Sequence, residues 1–81
     1  MSGPTFTTRL HEAGSLRVRE SSANLPDGVH LSIAATRSTR LVDLCMSRDP
    51  MAVHLEFTPE QARAVAAELL ACAAELSGGA A

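Results

Sequence analysis

Between Val29 and Phe57, apolar and polar residues alternate in three successive runs, and this alternation constrains the fold more than any other feature of the sequence. A period of two residues places alternate side chains on opposite faces of a β-strand. The runs are residues 29–35, 40–46 and 51–57, separated by the turn-forming segments TRST and SRDP. Joining them through four-residue hairpin loops predicts an antiparallel sheet with one apolar and one polar face.

The register of these strands follows from the loops. If Ala35 pairs with Arg40 and Met46 pairs with Met51, the apolar residues of all three runs share one face. The outer face is then predicted to carry two cross-strand rows, one of Ser32, Asp43 and His54, the other of His30, Cys45 and Ala52.

Two shorter runs, residues 5–10 and 15–20, predict a first hairpin before this region. Its loop is predicted to be Glu12-Ala13-Gly14, because Gly14 can adopt the left-handed conformation that such a loop requires. The segment 21–28 is predicted to be a loop, in which Pro26-Asp27-Gly28 has the composition of a turn.

Residues 59–76 form a predicted amphipathic helix, and 78–81 a frayed tail. Thr58 is the predicted N-cap, and Gln61 completes a capping box with it. One stripe of the helix is apolar and is expected to cover the apolar face of the sheet; it comprises Ala62, Val65, Ala66, Leu69, Cys72, Ala73 and Leu76. The predicted fold is therefore α+β in a single domain, residues 1–81: an antiparallel meander of four to five strands with one C-terminal helix packed on one face in two layers.

The composition limits the core that this fold can build. The chain has 81 residues and is 46% hydrophobic, but it lacks Trp and Tyr and contains only two Phe. Aromatic side chains bury the largest areas, so a small chain without them gains from self-association. We therefore expect a protein partner, with a homodimer as the simplest case.

Charge and targeting signals exclude several classes of protein. All seven basic residues are Arg, a composition typical of a GC-rich bacterial genome. The net charge is −2 and there is no run of basic residues, so the chain is a poor candidate for binding a nucleic-acid backbone. The sequence contains neither a secretory signal nor an apolar run of membrane-spanning length. Its two cysteines are expected to be free thiols. These features predict a cytoplasmic protein without a nucleic-acid or membrane partner.

The outer face of the sheet offers two kinds of chemistry. Ser32, Asp43 and His54 are the residue types of a hydrolytic triad, but a triad needs His in the middle, and the predicted row puts Asp43 there. We therefore predict that the protein is not an enzyme and uses no cofactor. The weak candidates for metal ligands are His30, Asp43, Cys45 and His54, since imidazole and thiolate suit zinc. Their spacing is not compact, so no metal site is predicted.

A cluster of arginines is predicted on the outer face of the first hairpin. Arg9, Arg17 and Arg19 would lie there beside Thr7 and His11, with Arg9 directly opposite Arg17. Such a cluster favours an anionic ligand or an acidic partner, unless nearby glutamates relieve the repulsion.

The helix carries more apolar surface than it needs to cover the apolar face of the sheet. A flank outside the apolar stripe contains Leu70, Ala67, Ala74 and Arg63. Small residues allow another helix to approach closely, so this flank is a candidate interaction surface. We therefore expect a non-enzymatic protein that acts through protein–protein contact or self-association. The alternative is a small-ligand or metal-binding module that uses the outer face of the sheet.

Overall fold

A computed structural model describes residues 5–12, 14 and 16–78. Its elements, in chain order, are β1 (Thr7–Leu10), β2 (Arg17–Leu25), β3 (Val29–Thr36), β4 (Leu41–Arg48), β5 (Met51–Phe57) and α1 (Pro59–Gly78). The strands form one five-stranded antiparallel sheet in the order β1-β2-β3-β4-β5. The predicted α+β fold, a meander followed by one C-terminal helix, is confirmed. In the part of the chain that the structure describes, no helix is long and apolar enough to cross a membrane.

The β3–β4 pairing keeps the predicted faces but shifts the predicted register. Ala35 lies opposite Val42, so the predicted pairing with Arg40 is wrong by two residues. Arg40 has a φ of 58°, and its N–H donates to the carbonyl of Thr36 at 3.0 Å. Because a left-handed residue cannot continue a strand, Arg40 ends the turn and β4 begins one residue later.

The β4–β5 pairing is shifted in the same way. Met46 lies opposite Val53, and Arg48 pairs with Met51 across a connection of two residues, Asp49 and Pro50. The predicted four-residue loop and the Met46–Met51 pair are therefore wrong. Both shifts are even, and side chains alternate with a period of two, so the predicted apolar residues still share one face.

Strand β2 is longer than predicted, and the predicted loop 21–28 is wrong over its first five residues. Residues Ser21 to Leu25 continue the pairing with β3. The predicted turn is confirmed at Pro26–Gly28, where Asp27 has a φ of 68° and Gly28 a φ of 75°. This tight turn brings β2 back along the whole of β3, so polar residues such as Ser22 find backbone partners in the sheet.

The first hairpin has a different register from the predicted one. Arg9 lies opposite Glu20 and Leu10 opposite Arg19, a shift of three residues from the predicted Arg9–Arg17 pair. A shift by an odd number of residues places the side chains of β2 on the opposite faces of the sheet from those predicted relative to β1. Gly14 has the predicted positive φ, at 98°, while the rest of the predicted loop includes Ala13, which lies outside the described residues.

The register defines an apolar face on the three later strands. Its members are Leu31, Ile33 and Ala35 on β3, Val42, Leu44 and Met46 on β4, and Val53, Leu55 and Phe57 on β5. Among the described residues only Ala23 and Ala34 are buried hydrophobics, and both are small. The apolar face is therefore only partly covered: its members on β3, Val42, Leu44 and Phe57 are half-buried, whereas Met46, Val53 and Leu55 are exposed.

The helix makes limited contact with that face. It contacts β4 and β5, and among its residues 59–77 only Ala62, in the first turn, is half-buried. The rest of the apolar stripe is exposed, including Leu69 and Leu76. The expected covering of the sheet by the stripe is therefore not achieved within one chain.

The start of the helix is fixed by the predicted capping box, which is confirmed. The Thr58 N–H donates to Gln61 Oε1 at 3.0 Å, and the Gln61 N–H donates to Thr58 Oγ1 at 3.1 Å. These two bonds satisfy donors that have no partner inside the helix.

Replacing Thr58 with Ala should lower the free energy of unfolding by about 1 kcal/mol, because the side-chain acceptor for the Gln61 N–H is lost. The measurement is urea denaturation followed by far-ultraviolet circular dichroism. Thr58→Ser keeps the hydroxyl and should retain most of the stability. Equal stability of the Ala and Ser variants would contradict a contribution from the cap.

Candidate functional site

The apolar face of the sheet carries exposed large side chains at its β4–β5 side. Met46, Val53 and Leu55 are 40%, 44% and 45% exposed, although they lie on the face that the alternation assigns to a core. Contiguous exposed apolar surface is typical of interaction sites and ligand-binding grooves.

The helix presents a second apolar surface. In its stripe, Val65 is 40% exposed, Leu69 66% and Leu76 85%. The predicted interaction flank is exposed as well: Leu70 is 71% exposed, and Ala67, Ala74 and Arg63 are all in the exposed class. The exposed fractions therefore do not show whether the flank or the stripe is the better interaction surface. Both are accessible along α1 beyond its first turn.

Three open depressions shape the apolar face, and one of about 200 Å³ is lined by Arg19, Ser21, Ile33, Ala34, Ala35 and Val42. Of the other two, the larger, of about 310 Å³, lies where the helix begins and is lined by Val18, Ala35, Thr36, Arg37, Arg40, Leu41, Val42 and Pro59. The smaller, of about 210 Å³, lies near the β4–β5 turn and is lined by Val29, Met46, Arg48, Met51, Ala52 and Val53. Both offer recesses into which apolar side chains of a partner can insert.

Charge is distributed unevenly between the helix and this face. Helix α1 carries Glu60, Glu68 and Glu75 but only one basic residue, Arg63. Arginines border the depressions of the sheet, with Arg40 at the one of about 310 Å³ and Arg48 at the one of about 210 Å³. The apolar surface of the helix is therefore flanked mainly by acidic residues, whereas the apolar face of the sheet is bordered by basic ones.

The polar outer face carries a cluster that includes a residue the sequence reasoning missed. Asp43, His54 and Glu56 each place one ligand atom within 4.8 Å of the others. His54 Nε2 lies 3.5 Å from Asp43 Oδ1, and the Thr36 hydroxyl donates to Asp43 Oδ2 at 2.6 Å. Glu56 lies opposite Asp43 and two residues from His54, so the period-two pattern of β5 is the signal that places it on this face.

The structure rearranges the predicted row of triad residues. Ser32 lies opposite Cys45, which in turn lies opposite His54. The predicted Ser32–Asp43 pair is wrong, because the register is shifted by two residues. Asp43 instead reaches His54 diagonally across the β4–β5 pair.

The other predicted metal candidates occupy different environments. His30 Nδ1 lies 2.9 Å from Asn24 Oδ1, and His30 is opposite Ser47, away from the Asp43–His54–Glu56 cluster. Cys45 is a half-buried free thiol, and Cys72 is an exposed one on the helix. Of the four predicted candidates, only Asp43 and His54 belong to the cluster that the structure forms.

The arginine cluster is split between the two faces. Arg19 lies opposite Leu10 and Ala35, on the apolar face, because of the three-residue shift in the first hairpin. Arg9 and Arg17 border a small polar depression on the outer face together with Glu20. A register shift between Arg17 and Arg19 returns Arg17 to the outer face. The predicted grouping of three arginines is therefore wrong.

Glu20 organises the polar end of the first hairpin. Arg17 Nη1 lies 2.7 Å from Glu20 Oε2, and His11 Nε2 lies 3.0 Å from Glu20 Oε1. Hydrogen bonds first from Arg17 and then from His11 hold the pKa of the Glu20 carboxyl below its ordinary value. The carboxylate thus joins β2 to the segment that follows β1.

The lowered pKa of Glu20 predicts an acid-dependent loss of stability. Because folding favours the carboxylate, the stabilisation is fully present above the unfolded-state pKa, about 4.3, and is lost as pH falls through the lower folded-state pKa. Glu20→Gln should remove this part of the pH dependence below about pH 4.3. The measurement is thermal unfolding from pH 7 to pH 2. Glu12→Gln, in the same region, is the matched control and should follow the parent protein.

No protein-family model, curated protein or solved structure matches this chain.

Proposed function

We propose that this chain is a non-enzymatic protein that acts through protein–protein contact, and that it associates with itself. The observation that carries the proposal is that large apolar side chains on the core-facing side of the sheet and along the helix are exposed together. Residues such as Leu55 and Leu69 are 45% and 66% exposed in the single chain.

Burial of these side chains supplies the driving force for association. Covering one large aliphatic side chain fully is worth about 1.5–3 kcal/mol, and several of them lie on each surface. A chain of this size needs such burial, since Ala23 and Ala34 are the only buried hydrophobics among the described residues.

Self-association predicts a mass in solution that depends on concentration. At micromolar concentrations and above, the mass should approach twice the 8.5 kDa of one chain and fall towards that value on dilution. Analytical ultracentrifugation over a dilution series measures this directly. A mass of one chain at all concentrations would contradict self-association, and failure to recover any partner from the native cell extract would then contradict the wider proposal.

A second candidate function is binding of a divalent metal ion on the outer face of the sheet. The observation that favours it is the convergence of Asp43, His54 and Glu56 within 4.8 Å. One imidazole and two carboxylates suit zinc, and the hydrogen bond from Thr36 orients the Asp43 carboxylate from outside the ligand set. The cluster lies on the face opposite the apolar surface, so the two candidate functions are separable.

Metal binding at this cluster is tested with zinc alone. Isothermal titration should show one site per chain, and His54→Ala should weaken zinc binding by at least about 10-fold. His30→Ala is the matched control, because His30 shares the outer face but lies away from the cluster. No measurable zinc binding, or equal losses in both variants, would contradict this second function.

A further inference from the structure

We infer that helix α1 of one copy lies across the apolar face of the sheet of a second copy, so that two chains exchange helices in a symmetric dimer. This inference rests on the proposed self-association and adds which surfaces meet. The stripe that contains Val65, Leu69 and Leu76 would lie against the face that contains Val53 and Leu55. Each copy then supplies the layer that the other lacks, as expected for a two-fold, self-complementary interface.

The connection between β5 and α1 argues against the same contact within one chain. Phe57 ends the strand and Pro59 begins the helix, so only Thr58 lies between them. Connections from a strand to a helix that packs back on its sheet usually contain about two to six residues. The capping box between Thr58 and Gln61 starts the helix at this point, so no further residues are available for a longer connection. The length of the connection therefore disfavours a helix packed along its own sheet.

Charge complementarity favours the sheet of another copy as the partner of the helix. The helix carries three glutamates and one arginine. The apolar face carries Arg19, and its depressions are bordered by Arg40 and Arg48. A helix laid across this face would bring acidic residues beside basic ones at the rim, which favours this pairing over two helices or two sheets of like charge.

The surface area of one chain fits this arrangement. A compact monomer of 8.5 kDa exposes about 4,700 Å², whereas this chain exposes 6483 Å². The excess of about 1,800 Å² falls in the range that each chain of an obligate homodimer buries, roughly 1,000–2,500 Å². The Cα radius of gyration of 14.6 Å likewise exceeds the roughly 12 Å expected for a compact domain of this length. Packing each helix on a partner's sheet would remove such an excess from both copies.

Complementation between two variants tests the exchange. Leu69→Glu places a charge in the helix stripe, and Val53→Arg places one on the apolar face of the sheet. In an exchanged dimer, either variant alone has both of its equivalent contacts disrupted, and we expect the dimer dissociation constant to rise at least about 100-fold. A 1:1 mixture can form one unaltered contact and one in which the new Glu faces the new Arg. The mixture should therefore recover the dimer mass that each variant has lost.

The measurement is analytical ultracentrifugation of each variant and of the mixture after refolding together from urea. Far-ultraviolet circular dichroism keeps the test valid if a single variant does not fold alone, since recovery of the signal in the mixture reports the same complementation. The matched controls are Leu70→Glu, on the helix flank, and His30→Arg, at an exposed position on the outer face of β3; both should remain dimeric.

The outcomes separate this inference from the proposed function. If the parent protein is dimeric but the mixture does not recover the dimer, the exchange is overturned while self-association stands. Dissociation by Leu70→Glu with an intact Leu69→Glu dimer would also overturn the exchange, and would indicate pairing through the helix flank. A parent protein that is monomeric at all concentrations would overturn both, whether or not its apolar surface binds a different protein.

Discussion

The capped one-residue connection at Thr58 is the constraint on which the arrangement of the two layers depends. The hydrogen bonds between Thr58 and Gln61 start the helix immediately after β5 and leave no loop that could reverse its direction. A helix whose stripe matches its own sheet in hydrophobicity is thus half-buried only at Ala62, in its first turn, among residues 59–77. The one-residue connection and the burial of apolar surface favour different positions for α1 in an isolated chain. In the proposed dimer this conflict would be removed, because the stripe would be buried against the sheet of the other copy.

The two faces of the sheet are stabilised by different means. On the outer face, Glu20 is bound by Arg17 and His11, and Asp43 is bound by Thr36 and lies beside His54. These polar contacts form within one chain and require no partner. The apolar face has no equivalent, since dispersion and the hydrophobic effect act only when another surface covers it. The outer face could therefore carry the candidate metal cluster without interfering with the proposed association through the opposite face.

The sequence predicted the strands and faces of the later sheet because a period of two is insensitive to even shifts of register. The pairing itself was missed by two residues, since the left-handed conformation of Arg40 and the short Asp49–Pro50 connection are not apparent from alternation alone. In the first hairpin the shift was odd, and Arg19 consequently lies on the apolar face. The full length of β2 was missed because Ser21, Ser22 and Asn24 resemble loop residues, although pairing with β3 satisfies their backbone groups. Of the candidate metal cluster, Asp43 and His54 were predicted and Glu56 was not.

The composition explains why this chain would depend on association when other small domains do not. A domain near 80 residues with several aromatic residues can fill the space between one sheet and one helix. Here Phe6 and Phe57 are the only aromatics, and Phe6 is 39% exposed. The alanines of the helix permit close approach but bury little area each. In the proposed dimer, a partner's helix would add a second set of Leu and Val side chains, so that two incomplete layers would combine into one core. Folding and association would be coupled in that dimer, because each copy would complete the buried surface of the other.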